Sequence, residues 1–137
     1  MKTILLLSVS LAALAGCSYA ARSPEMYRDE TTKVLEAKNN DVRSCYDGVL
    51  KSTPGASGKV TVKFDVPQDG EQNAGKISNV VVDKAGTTAP DPVAECVKQG
   101  ITGAGPLAPP DARLGQATYV YEFSAPGGHT SMGKVGS

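Results

Sequence analysis

The run Gly58-Lys-Val-Thr-Val-Lys-Phe-Asp-Val66 decides how the rest of the chain is read. Val60, Val62, Phe64 and Val66 alternate with Lys59, Thr61, Lys63 and Asp65, the period of two that a strand shows when it buries one face. The stretch therefore predicts a strand with a core side and a wet side. Cys45 lies upstream and Cys96 downstream, bracketing this strand and the hairpin after it.

Working back from Gly58, Pro54 disfavours helical backbone at Thr53, so a preceding helix has to end there. Its apolar positions are Val42, Cys45, Tyr46 and Val49, spaced i, i+3, i+4 and i+7, which predicts one buried stripe. Helical character begins near Thr31. The Asn39-Asn40-Asp41 run either interrupts it or caps a second start at Asp41, leaving residues 31–40 as a separate turn or a frayed lead-in. Residues 18–30 lack periodicity and read as a tether with a reach of at most about 45 Å.

Working forward from Val66, the polar residues 67–74 contain Asp69-Gly70, a turn signal, so the chain doubles back. A second strand is expected over residues 76–83. Ile77 is out of phase with Val80 and Val82, which calls for a bulge near Ser78-Asn79 or for burial of Val81, and the bulge is the preferred reading. Asp91-Pro92 suits an N-cap and first helical position, Val93, Cys96 and Val97 share a stripe, and Gly100 is a candidate stop. Ala117, Tyr119, Tyr121 and Phe123 then alternate in a third strand. Residues 125–137, rich in Gly, carry too little apolar surface to predict order.

The order helix, strand, strand, helix, strand implies an α+β fold. A hairpin makes strand two antiparallel to strand one, and a right-handed helical crossover returns strand three beside strand one. The expected sheet is three-stranded and antiparallel in order 2-1-3, with two helices over one face bringing Cys45 and Cys96 together. Residues 31–124 form the expected domain.

The N-terminus has a basic start at Lys2 and an apolar run from Ile4 to Leu14, too short for a permanent membrane span. Leu14-Ala-Gly-Cys17 is similar to a bacterial lipobox, which implies a signal peptide over residues 1–16 and a lipid-bearing Cys17 (palmitate among its acyl chains). A tether over residues 17–30 then follows. Cleavage after Ala20 is the competing reading; both export the chain. Ser18 after the cysteine favours the outer membrane, with the domain facing the periplasm.

Composition narrows the function further. The 137 residues carry 14 basic and 14 acidic side chains with no basic stripe, which argues against nucleic acid as a partner. His129, the sole histidine, sits in the Gly-rich tail, so no Ser/His or Cys/His catalytic arrangement and no closed zinc site is expected. Asp65, Asp69 and Glu71 lack the calcium-loop spacing and read as a solvated turn. No cofactor, metal or small-molecule substrate is implied, and the chain is expected to be non-enzymatic.

Cys45-Tyr46, Pro54, the Gly58 strand, Gly75-Lys-Ile with Val80 and Val82, Asp91-Pro-Val-Ala-Glu-Cys96-Val and Tyr121-Glu-Phe123 together resemble the AgmX/PglI-type C-terminal domain, a relative of the TonB C-terminal domain. The likeness covers about residues 42–124. It departs at the long hairpin loop 67–74, in a missing aromatic before Pro106, and at Glu122, where Pro is common. The resemblance implies a cell-envelope interaction module that binds a protein partner by strand addition, or an accessory component of a gliding-motility or envelope transport complex.

With Cys17 consumed by lipid, the remaining cysteines are even in number, which points to a Cys45–Cys96 disulfide. Its 51-residue loop would contribute about 4 kcal/mol in the chain-entropy model. Two buried thiols are the alternative, and the wide spacing disfavours a catalytic dithiol. In order 2-1-3 strand three has the candidate free edge, with Thr118, Val120 and Glu122 as the expected partner-binding residues.

Overall fold

A computed structural model describes residues 23–108, 111–125 and 129–132. Three α-helices and four strands follow in the order α1 (Pro24–Glu36), α2 (Asn39–Ser52), β1 (Gly58–Val66), β2 (Ser78–Val82), α3 (Asp91–Ile101), β3 (Gly115–Ser124) and β4 (His129–Met132). The expected antiparallel arrangement of strands two, one and three is present, and β4 extends it to β2-β1-β3-β4. The signal-peptide and Cys17 readings lie outside the described residues.

Helix α1 corrects the tether expected as far as residue 30. Ser23 caps it, its hydroxyl accepting from the Met26 N–H at 3.2 Å, with Pro24 and Glu25 in the first turn. That is the favoured chemistry of a helix start. Thr31 and Leu35 are fully buried and Tyr27 and Val34 pack against the core, so the stripe is helical in spacing. Two residues separate α1 from α2, whose cap position is taken by Lys38 and not by Asp41. Tyr27 packs over Gly115, which sets the first turn of α1 against the start of β3.

Val60, Val62, Phe64 and Val66 are buried to within 2%, the alternation read from sequence. β1 pairs with β3 along its whole length, from Gly58↔Phe123 to Val66↔Gly115, and with β2 on its other side. It is the central strand. The bulge is confirmed: two steps along β1, from Lys63 to Asp65, face three along β2, from Val81 to Ser78, and Asn79 takes φ 49°. The extra residue puts both Ile77 and Val80 inside and leaves Val81 60% exposed.

Helices α2 and α3 pack side by side, joined by the Cys45–Cys96 disulfide with Cα atoms 5.5 Å apart. Cys96 is buried, but Cys45 is exposed at the margin of α2, so the α2 stripe is Val42, Tyr46 and Val49 without the cysteine. Asp91 lies inside α3, with Pro90 at the cap position. Gly100 does not stop the helix, which runs on to Ile101. Tyr46 is completely buried, its hydroxyl donates to the Ala56 carbonyl, and its ring sits 4.7 Å from that of Phe123.

Strand β4 corrects the expectation of a tail without order. It is antiparallel to β3, with Tyr121↔Met132, Glu122↔Ser131, Phe123↔Thr130 and Ser124↔His129. Backbone pairing onto an existing sheet edge needs few apolar side chains, which is why composition alone gave no sign of it.

Candidate functional site

The hydrogen-bonding side of each β1 residue fixes what β3 offers outward. The Thr61 carbonyl accepts from the Asp83 N–H at 2.8 Å, and the Lys59 carbonyl accepts from the N–H groups of Thr88 and Ala89 at 2.8 and 3.0 Å. The Lys59 N–H donates to Thr88 Oγ1 at 2.8 Å and the Thr61 N–H to Thr87 Oγ1 at 3.1 Å. Odd-numbered β1 residues thus turn their backbone groups towards β2 and the loop after it. Even-numbered ones turn theirs towards β3, because the ladder alternates.

Carried across the β1–β3 register, this parity turns Gly115, Ala117, Tyr119, Tyr121 and Phe123 inward. Gln116, Thr118, Val120, Glu122 and Ser124 present their N–H and C=O groups on the outer edge. β4 faces the last two of these. Among the described residues, no strand pairs with residues 116–120 on that side. Gln116, Thr118 and Val120 therefore turn their outward groups along a stretch that no described strand pairs with. Glu122 does not: it is opposite Ser131, and its carboxylate is 3.4 Å from Lys59 Nζ. The β4 pairing is what sequence reasoning missed.

The chain treats its other strand edges differently. The loop through the 3-10 turn Lys84–Gly86 closes the upper half of β1, where Thr61 Oγ1 donates to the Gly86 carbonyl at 2.7 Å and Thr87 Oγ1 to the Asp83 carbonyl at 2.7 Å. Ahead of β2, Ile77 donates to the Ala104 carbonyl and accepts from the Gly103 N–H, both at 2.8 Å. On β2 the bulge between Val81 and Ser78 interrupts this alternation.

Beside that run, the wet face of the sheet holds a shallow depression of about 500 Å³ lined by Lys63, Asp65, Asn79, Val81, Gln116 and Thr118 among others. The Asp65 carboxylate accepts there from Asn79 Nδ2 at 2.9 Å and from Gln116 Nε2 at 3.3 Å. These bonds hold the Gln116 side chain across the face. On the core side, burial raises the Tyr119 and Tyr121 phenol pKa values, with smaller contributions from Glu36 and from Tyr119 respectively. Both phenols stay protonated near neutrality and serve as packing groups.

Among the described residues no cluster of three potential metal ligands occurs, and no helix is long and apolar enough to cross a membrane. No family model, curated protein or solved structure matches the chain.

Proposed function

We propose that this chain is a non-enzymatic lipoprotein of the bacterial cell envelope whose domain binds an extended segment of a protein partner along the outer edge of β3. The observation that carries the reading is selective coverage. The Thr87–Thr88 region seals the backbone of Lys59 and Thr61, while among the described residues no strand pairs with the outward groups of Gln116, Thr118 and Val120. An uncovered edge is a template for another strand. The likeness to the TonB C-terminal domain agrees with this mode, and the lipobox-like Leu14-Ala-Gly-Cys17 supplies the anchor.

A photocrosslinking residue at Val120, compared with one at the exposed Val81 of the wet face, tests the binding edge in intact cells. An adduct specific to position 120 that disappears on Thr118→Pro is expected. The Thr118 N–H points outward, so proline there removes an edge donor without removing a ladder bond. Equal adducts from both positions, or none, overturn the reading. Labelling with an alkyne fatty acid tests the anchor: label on the wild type and none on Cys17→Ser is expected.

A further inference from the structure

We infer that the Cys45–Cys96 bridge exchanges with external thiols from one side only, Cys45 being the sulfur that takes up a small peptide thiol and Cys96 the sulfur that leaves. This inference is independent of the strand-addition reading. The two ends of the bridge differ sharply: Cys96 is 2% exposed inside the α2–α3 seam, whereas Cys45 faces solvent. Both border a surface depression of about 340 Å³ that Lys38, Asp41 and Gln99 also line.

Exchange requires a thiolate to reach one sulfur from the side opposite the bond that breaks. The exposed Cys45 end of the bridge is the more open to such an approach, Cys96 being 2% exposed. Lys38 Nζ stands 3.7 Å from Asp41 Oδ2, so the mouth of the depression carries a paired cation and carboxylate with no net charge.

In the forward step the thiolate sulfur bonds to Cys45 Sγ, and the electron pair of the Cys45–Cys96 bond departs with Cys96 Sγ. That thiolate takes a proton from water. The product is a mixed disulfide on α2 opposite a buried thiol on α3; the overall count of disulfides and thiols is unchanged. In the reverse step Cys96 loses its proton, attacks Cys45 Sγ and expels the peptide thiol. Cys45 is thus an S-thiolation site with its resolving thiol built in.

Wild-type protein would be held with reduced glutathione, quenched in acid, alkylated with N-ethylmaleimide and peptide-mapped. Glutathione on Cys45 with maleimide on Cys96 is expected in at least about tenfold excess over the reverse, given the difference in access. Glutathione on Cys96, equal labelling, or no adduct overturns the inference. As a second measurement, Cys45 in Cys96→Ser and Cys96 in Cys45→Ser would react with oxidised glutathione, with folding checked by circular dichroism. At least about tenfold faster modification of Cys45 is expected, and equal rates in folded variants overturn it. A thioredoxin-type oxidoreductase lacking its resolving cysteine, run in parallel, separates the thiol sources: trapping of that protein without any glutathione adduct overturns the small-thiol assignment.

Discussion

Gly100 of α3 lies so close to Val42 of α2 that a Cβ at position 100 would stand 2.6 Å from Val42 Cγ2. Glycine inside a helix costs about 1 kcal/mol relative to alanine, and here it lets two helices approach within the reach of a disulfide. Gly100→Ala is therefore expected to destabilise the fold by about 1–3 kcal/mol despite its better helix propensity. The β-branched Val42 has little rotamer freedom with which to yield. Urea denaturation checks the sign: a gain in stability would show that the α2–α3 spacing relaxes freely.

A charge in the central strand has nowhere to go. Val62 and Phe64 are 0% and 2% exposed, and neighbouring Lys63 points to solvent. Val62→Asp or Phe64→Asp is expected to cost several kcal/mol and abolish the cooperative thermal transition, while Lys63→Gln shifts it little. A circular-dichroism melt of Phe64→Asp with an unchanged midpoint would contradict the central position of β1.

Two buried tyrosines should respond oppositely to loss of the same atom. The Tyr46 hydroxyl donates to the Ala56 carbonyl, whereas the buried Tyr121 hydroxyl has no hydrogen-bond partner among the described residues. Tyr46→Phe leaves that carbonyl unsatisfied and is expected to cost about 1–3 kcal/mol, while Tyr121→Phe is expected to be neutral or stabilising by up to about 1 kcal/mol. Chemical denaturation of the pair side by side measures the contrast.

Alkaline pH should unfold the domain. Burial raises the phenol pKa of Tyr46, with a smaller contribution from Asp47, and it likewise raises those of Tyr119 and Tyr121. The folded state thus keeps protons that the unfolded chain releases near pH 10. This stabilisation is complete below that pH and is lost as pH rises towards the folded-state values, by up to about 1.4 kcal/mol per pH unit for each phenol. Stability measured from pH 8 to 12, followed by tyrosinate absorbance, should fall over the upper half of the range, and a flat profile would mean that the phenols ionise inside the fold.

The central strand, its hairpin bulge and the α2–α3 cysteine pair were legible because each leaves a periodic or countable mark: alternation at Val60–Phe64, a phase slip at Ile77 and two cysteines on helical stripes. Helix α1 left a mark as well, in Ser23-Pro24-Glu25. Only its second half falls in the helical region expected from Thr31 onward, because its core-facing positions include Tyr27 and Thr31, residues that do not look like an apolar stripe. Gly100 carried an ambiguous signal, since one residue type serves both helix ends and close helix contacts. Of the candidate site, the parity that exposes Thr118 and Val120 followed from topology. The covering of Glu122 did not, because β4 is held by backbone pairing, to which side-chain patterns are nearly blind.

That covering limits how tightly the edge can hold anything. β4 takes the outward positions Glu122 and Ser124, so among the described residues of β3 an incoming strand meets Gln116, Thr118 and Val120. Three residues with one donor and one acceptor each form at most about six main-chain hydrogen bonds, worth about 1 kcal/mol apiece. Association itself costs at least about 4 kcal/mol. Backbone pairing alone therefore gives a short-lived complex in dilute solution. A domain anchored through its N-terminus, as proposed, is confined with its partner to a thin layer beside the membrane, where local concentration supplies the occupancy that intrinsic affinity does not.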